Sequence, residues 1–282
     1  MMKYGIAFPN GGVCDPQTLA EFAALAEAHG WDGVFLEDYI VWQSHQDVPT
    51  YDPWIALAAM AMRTTTIRLG TSITPLPRRR PWKVARETVT LDHLSNGRLI
   101  LGVGLGDAAT DISFTRFGEA TDVPQRAKML DESLDILIGA WRGAAFTHHG
   151  LYYHVDEVTL LPKPIQSPRI PIWVGGAYPN PGPMKRAACY DGACLYKAAG
   201  GDFTPDEVRA LKAFVDARRP APAPYDIALG GRHRAEDWEQ DRALITSLAE
   251  AGMTWWVEYV PPQIGGLNEM LACITRGPLR ID

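Results

Sequence analysis

The sequence predicts an α/β fold, a (β/α)8 TIM barrel with a hairpin inserted after its fourth helix, and three observations carry that prediction. Short apolar runs alternate with amphipathic segments, each pair joined by glycine, proline or a capping residue, which is the pattern of repeated strand-helix units. The stretch Leu25-Ala26-Glu27-Ala28-His29-Gly30 is echoed by Leu248-Ala249-Glu250-Ala251-Gly252, each just ahead of a strand, as in a ring of like units. Finally, 282 residues accommodate roughly eight such units, near the ~250 usual for the barrel. Residues 1–282 are accordingly read as one domain.

The elements follow in order. Tyr4 to Phe8 forms the first strand, and Asp15-Pro16 supplies an N-cap and a proline at the first helical position. That helix ends at Gly30, a left-handed C-terminal cap. Gly33 to Leu36 is the second strand, Pro53 to Met62 the second helix, Ile67 to Thr71 the third strand, and Pro81 to Leu94 the third helix, closed by Ser95-Asn96-Gly97. Leu99 to Val103 is the fourth strand. The fourth helix spans Pro124 to Trp141, where Leu130, Leu134, Leu137, Ile138 and Trp141 stack on one face.

From Ala144 to Ser167 the period shifts towards two, with Leu151, Tyr153 and Val155 alternating with polar neighbours, so an inserted hairpin is expected. Strands at Ile172 to Val174 and Ala193 to Leu195 flank a helix over about Met184 to Tyr190. Thr204-Pro205-Asp206-Glu207 is a capping box opening the next helix. Asp226 to Leu229, Glu239 to Ala251, Thr254 to Tyr259 and Ile264 to Thr275 complete the series, and the Pro-rich Arg219 to Pro224 is read as an exposed loop.

Composition removes several function classes. A chain that is 46% hydrophobic and 21% charged buries a large core, which excludes the disordered and fibrous classes. A net charge of -6, with no like-charge run beyond Arg78 to Arg80, excludes a broad nucleic-acid footprint. Met1 to Gly12 lacks the apolar region of a signal peptide, and no apolar run reaches the ~18 residues of a membrane span. Cys14, Cys189, Cys194 and Cys273 are scattered and read as reduced, so a cytoplasmic protein is expected. His148-His149 resembles a metal lure, but neighbours on a strand point to opposite faces and no further ligand stands at metal spacing, so no metal is expected.

In a parallel barrel the chemistry sits at strand C-termini and the loops after them. Those positions hold Asn10, Glu37, Asp38, Tyr39, Thr71, Ser72, Thr74, Gly104, Gly106, Asp107, Gly175, Gly176, Tyr196 and Lys197. Gly102-Val103-Gly104-Leu105-Gly106-Asp107 fails as a dinucleotide fingerprint because Asp107 occupies the third glycine position. Two readings of those small residues stay open: close approach of a flat ligand or another backbone, or simple tight turning. Trp42, Trp54 and Trp82 are candidates to wall an apolar pocket, and Arg78 to Arg80 either assist an anionic tail or form a solvated loop.

Four blocks then carry a family resemblance. They are Gly33-Val34-Phe35-Leu36-Glu37-Asp38; Ile67-Arg68-Leu69-Gly70-Thr71-Ser72-Ile73-Thr74-Pro75; Leu91-Asp92-His93-Leu94-Ser95-Asn96-Gly97-Arg98-Leu99 running into Gly102-Val103-Gly104; and Pro171-Ile172-Trp173-Val174-Gly175-Gly176. Leu160-Leu161-Pro162-Lys163-Pro164 adds a fifth match, and together they cover most of the chain to about residue 195. In this order they resemble the luciferase-like flavin-dependent oxidoreductase family, bacterial luciferase-like monooxygenases and coenzyme F420-dependent relatives.

The resemblance implies a flavin or deazaflavin ring in the barrel mouth with its phosphate tail held by loops after the middle strands. It implies a cis peptide at Ser72-Ile73 beneath the ring, with Thr71 and Gly104 beside it, a phosphate contact from Arg126, and a phosphate loop at Gly175-Gly176-Ala177. Asp38 matches an aspartate of the deazaflavin branch, whereas Tyr39 replaces a common histidine, and Asp107 matches an acidic residue of sugar-phosphate dehydrogenating relatives. Asp38, Tyr39 and Asp107 are thus the catalytic candidates, with structural ion pairing the competing role for the two carboxylates. Tyrosine is a poor base near neutrality. FMN and coenzyme F420 both remain as cofactors: Asp38 favours the deazaflavin, and Tyr39 and Arg126 leave FMN open. A small organic substrate is implied, with molecular oxygen or a separate cofactor reductase as further partners and a homodimer through the second and third helices. Two other functions fit the barrel, a hydrolase using Asp38 and Asp107 as acid and base and a non-catalytic flavin-binding protein.

Overall fold

The computed structural model describes residues 1–219, 224–235, 237–260 and 266–281. Its strands are β1 (Lys3–Phe8), β2 (Gly33–Leu36), β3 (Arg68–Thr71), β4 (Thr74–Pro75), β5 (Leu99–Gly104), β6 (Phe146–His149), β7 (His154–Val158), β8 (Ile172–Tyr178), β9 (Gly192–Lys197), β10 (Asp226–Arg232) and β11 (Trp255–Tyr259). The helices are α1 (Pro16–Ala28), α2 (Pro53–Arg63), α3 (Pro81–Leu94), α4 (Ile112–Arg116), α5 (Val123–Trp141), α6 (Pro181–Ala187), α7 (Pro205–Asp216), α8 (Trp238–Ala251) and α9 (Leu267–Thr275). β1, β2, β3, β5, β8, β9, β10 and β11 pair in parallel around a ring that β1 closes against β11, giving the expected (β/α)8 barrel.

Local chemistry sets the helix starts. The carboxylates of Asp15, Asp52, Asp122 and Asp237 accept backbone N–H bonds from the first turns of α1, α2, α5 and α8, and Thr204 with Glu207 forms the capping box of α7. Gly30, at φ +82°, lies just beyond the end of α1 in the left-handed region, as its sequence position predicts. The hairpin β6–β7 pairs antiparallel and sits on α5, where Glu132 accepts N–H bonds from Leu151, Tyr152 and Tyr153 at its turn. Leu151 is at the exposed tip, so the inward side of the alternation begins with Tyr153.

Several boundaries differ from expectation. β8 continues through Tyr178, because β9 keeps pairing with it from Trp173 to Tyr178. α6 starts at Pro181 and ends at Ala187, since the proline suits a first helical turn and lacks only an N–H that the turn leaves unused. The short β4 and α4 have too few residues to show a period. The start expected at Ile264, and residues 220–223 of the Pro-rich stretch, lie outside the described residues.

Two apolar layers result. One lies between strands and helices; the other, Ala7, Phe35, Ile100, Trp173, Ala228, Trp255 and Val257, fills the barrel interior. There Phe35 stacks on Trp173 at 5.3 Å, and Trp255 meets both rings edge-on. At the opposite end from the strand C-termini, the buried Arg98 guanidinium donates to the carbonyls of Ala61, Thr64, Ile67 and Ser95, joining the ends of α2 and α3. No helix among the described residues is long and apolar enough to cross a membrane.

Glu27 ties α1 to β3 by accepting N–H bonds from Thr65, Thr66 and Ile67 at 3.0, 2.5 and 2.8 Å. Burial acts to raise its pKa, but these donors outweigh it and hold the carboxyl at about 2 instead of 4.5. A carboxylate held low stabilises the fold fully above 4.5 and loses that contribution as pH falls towards 2. Glu27→Gln is therefore expected to lower stability by about 1–2 kcal/mol at pH 7, discounted for partial exposure. Urea unfolding at stepped pH checks this, and the gap between the two proteins should close as pH falls from 4.5 towards 2.

Candidate functional site

A cavity of about 790 Å³ opens at the C-terminal ends of the strands. Its floor is the top of the interior core, Ala7, Phe35, Trp173, Ala228 and Val257. Asp38, Tyr39, Thr71, Ser72, Ile73, Gly104, Asp107, Arg126, Gly175, Gly176 and Ala177 all line it, so the residues singled out from sequence converge on one place. Trp42 and Trp54 are buried and do not line it, and Trp82 is exposed; Trp173 is the indole that lines the cavity.

The Ser72–Ile73 peptide is cis. The Ile73 side chain lies between two strand ends: a methyl on Gly104 would come 2.8 Å from its Cδ1, and one on Gly175 2.8 Å from its Cγ2. A methyl on Gly102 would clash with the Thr71 carbonyl. Of the readings left open for the Gly102 to Gly106 run, close approach therefore holds at Gly102 and Gly104, where a backbone carbonyl and Ile73 take the space. Gly175, Gly176 and Ala177 belong to β8 and pair with Cys194, Leu195 and Tyr196, so they are strand residues and not the loop that resemblance implied.

Asp38 sits in a buried ion cluster. Its Oδ1 accepts from Arg79 Nη2 at 2.7 Å and Arg78 Nη2 at 3.4 Å, while Arg78 Nη1 donates to Asp111 Oδ2 at 2.5 Å and to Ser113 Oγ at 3.0 Å. Arg78 also donates to the Asp38 carbonyl and lies over the Phe114 ring. Its side chain is 1% exposed, so Arg78 is not part of a solvated loop. The reason is local neutrality: two carboxylates meet two guanidinium groups, and Asp38 Oδ2 has no hydrogen-bond partner among the described residues.

The other candidates have different surroundings. Asp107 accepts from Ala109 N at 3.0 Å and Thr110 Oγ1 at 2.9 Å, folding its own loop. Arg126, in the first turn of α5, donates to the carbonyls of Leu105 and Gly106, and its buried Nε has no partner among the described residues. Burial pushes Tyr39 up to about 12, helped by Glu37, Asp111 and Asp107. Asn10 holds that loop by donating to the Tyr39 and Tyr51 carbonyls.

Several cavity residues escaped the sequence reading. Glu37, recognised only as a rim position, accepts from Trp42 Nε1 at 2.7 Å, and burial raises its pKa against that bond. Tyr259, Asn180 and Arg186 also line the wall, and Arg186 donates to Asp131 at 2.6 Å. The turn Tyr178-Pro179-Asn180-Pro181 is the sequence signal for Asn180. On the hairpin, His148 faces Glu132 and His149 faces the other way, as expected. However, cross-strand pairing brings His154 and Asp156 to His149, with ligand atoms within 4.8 Å of one another. Linear spacing does not reveal that group.

A family model described as "Luciferase-like monooxygenase" matches residues 2–253. An F420-dependent glucose-6-phosphate dehydrogenase of Microbacterium testaceum is 35% identical over 167 residues, 58% of this chain and 48% of the relative. That of Amycolatopsis mediterranei is 31% identical over 210 residues, 73% of this chain and 58% of the relative. The chain spans about half the length of these dehydrogenases. Among solved structures, an F420-dependent secondary alcohol dehydrogenase in complex with an F420-acetone adduct superposes with a TM-score of 0.80 at 19% identity, covering 100% of this chain and 99% of that one. The monooxygenase RslO1 from Streptomyces bottropensis gives 0.78 at 20% identity, covering 98% and 97%. Both likenesses establish the barrel.

Proposed function

The chain belongs to the luciferase-like monooxygenase family, and from that premise we propose that it is an oxidoreductase binding coenzyme F420 or FMN in the barrel mouth beside a small organic substrate. The observation that carries this reading is the open cavity above an aromatic floor, with Ile73 wedged between two glycine-bearing strand ends. A planar heterocycle fits that surface: Ile73 with Thr71, Ser72 and Gly104 supplies its apolar support, and Gly175, Gly176 and Ala177 add small residues to the same wall. The unpartnered Nε of Arg126 supports an anionic tail nearby. When bound, such a ring supplies a two-electron donor or acceptor; the protein positions it, excludes water and shapes the substrate space.

The relatives named F420-dependent, at 31% and 35% identity, favour F420. FMN is the second reading, with molecular oxygen or a separate reductase as its further partners, and the monooxygenase RslO1 supports it. A hydrolase is disfavoured because Asp38 is committed to two arginines. Exposed Ile55 and Met62 on α2 and Trp82 and Leu94 on α3 support a homodimer through those helices.

Separate titrations with F420 and FMN, followed by absorbance and fluorescence, test the reading. F420 is expected to bind with a micromolar or tighter Kd, about -8 kcal/mol, and FMN at least tenfold more weakly. The reverse order moves the proposal to the FMN version, and binding of neither removes it. Turnover of any substrate with stoichiometric change of the cofactor's redox state rules out a purely cofactor-binding role.

A further inference from the structure

Five acidic groups line the cavity after β2 and β5, and the protein ties up four. Asp38 is paired with Arg78 and Arg79, Asp111 is paired with Arg78, Asp107 binds its own loop, and Tyr39 keeps its proton to about pH 12. Glu37 differs. It stands at the C-terminal end of β2, lines the cavity, and accepts from Trp42 Nε1 through Oε2. The groups facing it are Trp42, Gln43 and Tyr39 from the following loop, Tyr259 from the end of β11, and Cys14 from the segment after β1. Tyr259 also lines the cavity, and its buried hydroxyl has no hydrogen-bond partner among the described residues.

From this geometry we infer that Glu37 is the catalytic proton acceptor for an alcohol substrate, in the place where Tyr39 cannot serve. The inference rests on the proposed oxidoreductase reading. The O–H bond of a secondary alcohol breaks and its proton goes to the Glu37 carboxylate. The adjacent C–H bond breaks as the hydrogen leaves with its electron pair for the oxidised deazaflavin or flavin ring, and the C=O bond forms. Two electrons leave the alcohol and two reach the ring, and one proton remains on Glu37. In the reverse direction protonated Glu37 returns that proton to the carbonyl oxygen. Burial, raising the carboxyl above 4.5, moves it nearer to the pH where it can both take and give a proton.

The test combines a cofactor-free measurement with turnover. Infrared difference titration of the protein alone is expected to show a protonated-carboxyl band that persists above pH 4.5 and is missing from Glu37→Gln. With F420 loaded and 2-propanol as probe, Glu37→Gln is expected to lose at least ~100-fold in kcat, with F420 affinity changed less than about threefold. Glu37→Asp should retain the acidic limb of the pH profile at reduced kcat. The proposal is overturned if the band titrates at or below 4.5, if Glu37→Gln keeps kcat within about fivefold, or if its acidic limb is unchanged. Failure of the wild type to oxidise 2-propanol overturns the alcohol class. Failure of both F420 and FMN to bind counts against the proposed function instead, and the infrared titration still reads Glu37.

Discussion

Arg78→Met is expected to lower folding stability by about 3–5 kcal/mol, because it leaves Asp38 and Asp111 buried with much of their compensating charge gone. Methionine replaces most of the apolar stem and keeps contact with Phe114, so the loss is mainly electrostatic. Arg79 still faces Asp38 at 2.7 Å, whereas Arg78 is the arginine that reaches both carboxylates. Urea unfolding of the single variants and of Arg78→Met combined with Asp111→Asn checks this. The double variant should recover part of the loss, since a neutral amide no longer needs a buried cation. A loss below about 1 kcal/mol in the single variant would mean that water reaches the cluster.

Gly175→Leu is expected to weaken cofactor binding by at least ~30-fold, about 2 kcal/mol, while the barrel still folds. The new side chain starts from a Cβ that would lie 2.8 Å from Ile73 Cγ2, so Ile73 must give way or the leucine must occupy the cavity. Either outcome removes the surface proposed to support the ring. Fluorescence titration with F420 and FMN reads the affinity, and thermal unfolding reads the fold. Unchanged affinity for both would place the ring elsewhere in the cavity. Together with Arg78→Met this separates two roles: one substitution acts on stability beneath the site, the other on the space within it.

Much of the barrel was legible because strand and helix formation depend on neighbours within a few residues. The caps at Asp15 and Thr204, the left-handed Gly30 and the apolar face of α5 each follow from local spacing. The clustering of the candidates was legible too, since a parallel barrel delivers every strand C-terminus to one mouth. β4 and α4 were not, being too short for a period, and β8 outran its apolar segment because ladder bonds to β9 stabilise glycines that propensity disfavours.

The linear chain therefore determined the order of the elements, the closed architecture and the set of residues around the mouth, through periodicity, capping and the family blocks. Tertiary structure alone decided which of those residues is chemically available. Arg78 reaches Asp38 across forty positions of sequence, and His154 reaches His149 across a hairpin. Whether a carboxylate is neutralised by a cation or meets a neutral donor alone depends on distances of a few ångströms, and Coulombic energy and desolvation both change steeply over that range. That is why Asp38 and Glu37, adjacent in the chain, face opposite electrostatic surroundings in the fold.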